Sequence, residues 1–258
     1  GPANISIIEK GPLVVSLLVT SSAPGTRSLS REIRLAAGID RVAVINTLDK
    51  TAIGTKESVH FEFPFHIPGA QVRYSIPWGS ITAEADQLPH TNRNWYTQQR
   101  WVDVSNKNVG VTWSSPDAPL FEIGRYPTAG LIGGLHDSPR WISFTEQQPL
   151  ITSWVMNTLW HTNFRRDQEG ITTFRYYLQV HGAYDAAAVN TTGLENHQPP
   201  VVAAATGPAS ESLFFNISGK KIYVENIYPA SNGKGVLLQL VNTAGETASV
   251  TISPKNNH

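Results

Sequence analysis

The run Tyr96–Trp113, YTQQRWVDVSNKNVGVTW, gathers residue types that hold a sugar. Tyr96 and Trp101 offer flat apolar faces to C–H groups, and Arg100 and Asp103 offer charged partners to hydroxyls. The run reads as two short strands joined by a polar turn over Ser105–Asn108. Alternation puts Arg100, Val102 and Val104 on one face of the first strand and Trp101, Asp103 and Ser105 on the other. In the second strand Val109, Val111 and Trp113 alternate with Gly110 and Thr112. An arginine among apolar residues on one face, and an indole beside a carboxylate on the other, set this run apart from a plain core strand. The competing reading puts Trp101 between sheets and leaves Arg100 and Asp103 in rim ion pairs, which contribute little.

Other chemistries find less support. A serine nucleophile wants a G-x-S-x-G elbow, and none is present. Gly130, Gly133 and Gly134 lack the spacing and the helix of a phosphate loop. His60, Glu62 and His66 would share a strand face only if the strand ran straight past Pro64 and Pro68-Gly69, so they read as a polar outer face and not as a metal site. Paired carboxylates for glycoside cleavage must lie about 5–10 Å apart. Asp103, Asp117 and Glu122 are candidates, but any acids on a sheet would serve as well. No catalytic acid, nucleophile or metal ligand is assigned.

The elements that must position these residues are strands. Leu13–Thr20, Ser30–Leu35, Asp40–Asp49, Val59–Phe65 and Val72–Trp78 precede the central run, separated by Pro, Gly, Asn and Asp. Val59–Phe65 alternates most cleanly, with Val59, Phe61, Phe63 and Phe65 opposite His60 and Glu62. Further strands are predicted at Arg140–Thr145 and Ile171–His181. Between these two, Ser153–Gly170 reads as a helical turn or an aromatic knot. Four tight strands follow Ser210, with hairpin turns at Asn232-Gly233 and Ala244-Gly245. The fold class is all-β with stacked antiparallel sheets. The expected division is a large β-sandwich domain over 1–183, a connector over 184–208 and a small β domain over 209–258.

Composition narrows the partners. The 258 residues carry 20 basic and 20 acidic side chains, so the net charge is zero and nucleic acid and anionic membrane are not expected as partners. No apolar run reaches the roughly 18 residues that a spanning helix needs. The N-terminus shows no basic region followed by an apolar stretch. Without cysteine there are no disulfides, thiolate metal sites or cysteine nucleophiles.

Taken in order, the segments resemble the C-terminal β region of glycoside hydrolase family 38, the α-mannosidases. The pieces that carry it are GPLVVSLLV at Gly11–Val19, KESVHFEFPFHIPGAQVRYSIPWG at Lys56–Gly79, and DQLPHTNRNWYTQQRWVDVSNKNVGVTW at Asp86–Trp113. DAPLFEIG at Asp117–Gly124, DQEGITTFRYYLQVH at Asp167–His181 and IYVENIYPASNGKGVLLQLVN at Ile222–Asn242 follow. The resemblance implies a large supersandwich like that of galactose mutarotase, followed by a small β-sandwich domain. It implies a retaining enzyme whose zinc, nucleophile and acid/base lie in an N-terminal α/β barrel, and nothing here resembles that barrel. No cofactor is therefore expected in this chain, and zinc belongs to the missing catalytic domain. The implied substrate-binding residues are Arg100 with Trp101 and Tyr96, joined by Asp103 from the reading above. The implied partners are an α-mannoside or related carbohydrate and the catalytic barrel of the same enzyme. Alone, the chain is expected to be inactive. The alternatives are a free-standing carbohydrate-binding module with Trp95, Trp101 and Trp113 as its platform, or a purely structural scaffold.

Overall fold

Turn residues cut the chain into short extended segments, and most of them pair. The computed structural model describes residues 2–124, 141–159, 165–204, 207, 215–219 and 221–254. In chain order the elements are β1 (Asn4–Lys10), β2 (Val14–Ser21), β3 (Thr26–Ala36), β4 (Val42–Lys50), β5 (Ser58–Pro64) and β6 (Gln71–Ile76). They continue with β7 (Gly79–Thr82), β8 (Tyr96–Thr97), β9 (Val102–Ser105), β10 (Gly110–Ser114), β11 (Leu120–Ile123), β12 (Leu150–Asn157) and β13 (Gly170–His181). The last are α1 (Ala186–His197), β14 (Phe215–Ser218), β15 (Ile222–Pro229), β16 (Val236–Asn242) and β17 (Thr251–Pro254).

The chain divides into Gly1–Tyr184 and Asp185–His258. The first unit holds a nine-stranded sheet ordered β1-β2-β3-β4-β13-β10-β9-β6-β7 and a four-stranded sheet ordered β5-β12-β11-β8. All registered pairs in both are antiparallel. The core forms where the two sheets face each other, because alternate side chains of each strand must leave water together. Phe61 and Phe63 of β5 meet Tyr176 of β13, at ring-centroid separations of 6.1 and 4.7 Å. Trp113 of β10 lies 5.6 Å from Phe63 and 6.5 Å from Phe121 of β11. The all-β class and the antiparallel sandwich are as the sequence predicted.

The large sheet is wider than the small one. Cross-strand partners share a face, so Ile7, Leu17, Ile33, Val44 and Tyr176 form one continuous row from β1 to β13. Exposure falls along it from 64% at Ile7 and 40% at Leu17 to 7% at Val44 and zero at Tyr176. The inner face of β1–β3 therefore overhangs the sandwich as an apolar apron.

The second unit contains α1, the hairpin β15–β16 and the pair β14–β17. Asp185 caps α1 by accepting from the Ala188 amide at 3.0 Å, satisfying one of the amides that a helix start leaves open. This helix lies in the stretch read as a connector. Three other local expectations differ. Residues 141–145 form no strand, the start of the stretch read as a helical turn or aromatic knot belongs to strand β12 while residues 160–164 of it lie outside the described residues, and Arg100 and Trp101 precede β9. Gly130, Gly133 and Gly134, weighed above as a phosphate loop, lie outside the described residues.

Candidate functional site

Strand β9 divides its side chains as alternation requires. Val102 and Val104 enter the core, and Asp103 and Ser105 take the opposite face. The two residues before it, Arg100 and Trp101, are fixed by one buried hydroxyl on β6. Ser75 Oγ accepts from the Arg100 amide at 2.8 Å and the Trp101 amide at 3.0 Å, and donates to the Trp101 carbonyl at 3.2 Å. That uses the full hydrogen-bonding capacity of a serine hydroxyl. The Ser75 amide also donates to the Trp101 carbonyl, and the Gln99 amide to the Ser75 carbonyl, each at 3.0 Å.

Of the four predicted sugar-binding residues, Arg100 alone keeps partial exposure. Trp101 and Asp103 are fully enclosed, and Tyr96 is 4% exposed. Trp101 lies 6.3 Å from the Tyr184 ring. Tyr96 packs between Phe121 at 5.4 Å and Tyr74 at 5.5 Å, and its hydroxyl donates to Thr145 Oγ1 at 2.8 Å. Burial is the main reason its pKa is raised. The exposed platform of Trp95, Trp101 and Trp113 is likewise not formed, because Trp101 and Trp113 are both inside. Their indoles satisfy the alternation of a core strand as well as that of a sugar platform, and the core takes the larger apolar area.

Asp103 sits in a compact charge network. It accepts from the Ser105 hydroxyl, its Oδ2 lies 2.7 Å from His181 Nε2, and Arg73 Nη1 lies 3.9 Å from Oδ1. His181 Nδ1 faces the Gly182 carbonyl at 3.0 Å. Both ring nitrogens thus meet acceptors, which favours the doubly protonated, charged imidazole. Burial alone would lower the His181 pKa. The Asp103 hydrogen bond and charge, with the carbonyls of Gly182 and Ala183, outweigh it and raise the value. The contact needs glycine at position 110, where a Cβ would overlap the His181 ring and the Ser105 side chain.

The three carboxylates considered for glycoside cleavage have different basic partners. Asp103 pairs with His181, as above. Asp117 receives the Arg175 guanidinium at 2.9 and 2.7 Å. Glu122 lies 3.3 Å from His60 Nε2, and the His60 ring stacks on Trp154 at 5.9 Å. Glu62 and His66 do not join His60 in a metal cage: among the described residues no group of three or more His, Asp and Glu side chains could hold an ion. One aromatic pair escaped the sequence reading. Trp141, 51% exposed, lies 5.9 Å from Trp95. It stood in a segment read as an ordinary strand, where a lone exposed tryptophan leaves no signal.

Comparisons with known proteins bear out the resemblance. Residues 2–115 match the family described as Glycosyl hydrolases family 38 C-terminal domain. A solved protein of glycosyl hydrolase family 38 from Enterococcus faecalis is 13% identical and superposes over 98% of this chain with a TM-score of 0.70. An alpha-mannosidase from Enterococcus faecalis V583 is 12% identical over 96% of this chain, with a TM-score of 0.69. The chain spans 32% of the first of these structures and 31% of the second. Among curated proteins none matches.

Proposed function

Taking residues 2–115 as a family 38 C-terminal domain, we propose that the chain is the β portion of an α-mannosidase-type glycoside hydrolase. It buttresses a separate catalytic barrel and contributes one wall of the mannoside site. The observation that carries this reading is the apron of β1–β3. Ile5, Ile7 and Leu17 expose apolar surface in adjacent strands, and such contiguous surface favours an occupant. Zinc and the nucleophile belong, on this reading, to the barrel. Arg100 is the residue of this chain that reaches the sugar, as a donor to hydroxyls. Trp101, Tyr96 and Asp103 act beneath it, holding the segment that presents it.

An aryl α-mannoside assay tests the division of labour. The 258-residue chain should give no turnover by itself. In the complete enzyme, Arg100→Ala should lower kcat/KM about tenfold or more, as expected for losing a charge-assisted hydrogen bond. Turnover by the isolated chain, or an unchanged kcat/KM in the variant, would refute the proposal.

A second reading, a carbohydrate-binding surface without hydrolysis, draws on the Trp95–Trp141 pair. Titrating mannose oligosaccharides into the chain while following tryptophan fluorescence tests it. A saturable response that Trp141→Ala abolishes favours this reading, and no response at millimolar sugar rejects it.

A further inference from the structure

A cleft of about 740 Å³ opens between the inner face of β2–β4 and strand β5. Its walls are largely apolar, with Val19, Leu29, Leu48 and Phe61 among them. Across this face one cross-strand row runs Val19, Arg31, Asn46 and Phe174. Two polar residues therefore interrupt an otherwise apolar surface, flanked by the pairs Leu29–Leu48 and Ile33–Val44.

Arg31 is the unusual member. Its Nε donates to Asn46 Oδ1 at 2.8 Å, and Asn46 is wholly buried. The amide thus anchors one edge of the guanidinium and leaves the two Nη groups for other acceptors. Among the described residues no carboxylate pairs with Arg31. Desolvation lowers its pKa, only partly offset by Tyr176. Glu57 also lines the cleft, but the side chain of Lys50 neutralises it. A partly desolvated cation held in place without a counter-charge is costly unless something supplies one.

We propose that this cleft binds a small monocarboxylate with an apolar body. The carboxylate takes the fork of Arg31 in the bidentate manner that guanidinium favours. The aliphatic or aromatic remainder lies against Leu29, Leu48 and Phe61. Inorganic phosphate has no apolar body to lie against these side chains, so it should bind less well. Arg31 lies four strands from β9 along the large sheet, roughly 19 Å at the usual strand spacing, so the site is separate from Arg100, while Val19 and Arg31 share the inner face of β2 and β3 with the apron.

Calorimetric titration of the whole chain with hexanoate and phenylacetate tests this, with hexan-1-ol and inorganic phosphate as comparison probes. The wild type should bind both acids at millimolar or lower concentration, and at least about tenfold more tightly than either comparison probe, as one charge-assisted hydrogen-bond pair implies. Arg31→Gln should weaken hexanoate by a similar factor, and Arg31→Lys should recover only part of it. Absence of saturable binding by either acid overturns the proposal. So does equal affinity for hexan-1-ol or phosphate, a comparison that needs no variant. Undiminished binding by Arg31→Gln overturns it as well.

Discussion

The contact between Asp103 and His181 makes the stability of this chain depend on pH in a direction that can be worked out. With the Gly182 carbonyl on Nδ1 and Asp103 on Nε2, the folded ring holds its second proton more tightly than an unfolded one. A raised folded pKa contributes stability that is fully present below the unfolded value of about 6.5 and is lost as pH rises through the folded value. The incisive perturbation is Asp103→Asn. The new amide oxygen still accepts from Ser105, and its NH₂ donates to a neutral Nε2, so shape and hydrogen bonding persist while the charge disappears. Arg73 stays supported by the Tyr184 ring, 4.5 Å beneath its guanidinium. The loss should be that of one charge-assisted hydrogen bond, about 2 kcal/mol below pH ~6.5. The His181 side chain is 20% exposed and that of Asp103 not at all, so solvent screening removes little of it. Urea unfolding of both proteins at a series of pH values measures the gap. It should be widest in mild acid and shrink as pH rises and wild-type His181 loses its charge. A gap that stays constant across that range would refute the charged-histidine argument.

Three further outcomes follow from the same packing. Gly110→Ala should cost about 1–3 kcal/mol, because its Cβ meets the His181 ring and Ser105 and the strand pair must yield; urea melts should show it together with a flattened pH dependence. Ser75→Ala removes the acceptor of the Arg100 and Trp101 amides, so it should cost about 1–3 kcal/mol by leaving buried donors unmet; amide exchange at Arg100 and Trp101 should accelerate. Trp113→Ala opens a void among Phe63, Phe121 and Tyr176 and should cost about 3–5 kcal/mol in thermal or urea unfolding.

The strands were legible where two-residue alternation coincided with burial on one face. In Val59–Phe65, Phe61 and Phe63 enter the core, while His60 and Glu62 take the opposite side. Strand β1 was missed because its side chains are exposed throughout and no core selects its pattern. Helix α1 was missed because Asn190, Thr191, Thr192 and Gly193 disfavour helix and little amphipathic pattern shows; Asp185, three residues before Ala188, was the available sign. At the candidate site the residue types were legible but their depth was not. Trp101 and Asp103 do share a side of β9, yet whether that side meets solvent or protein depends on Tyr184, His181 and Arg73, which lie far away in sequence. The Arg31–Asn46 pair left no sequence signature, since its meaning arises from a register between neighbouring strands.

The apron has a practical consequence for handling the protein. Strand β1 is the outermost strand of the large sheet as described, so greasy side chains and unclaimed backbone donors and acceptors share one margin. That combination invites another strand to add on. Preparations of the lone chain should self-associate at high concentration, and a lysine substituted at Ile7 should curb this with little loss of fold, because that side chain is already 64% exposed.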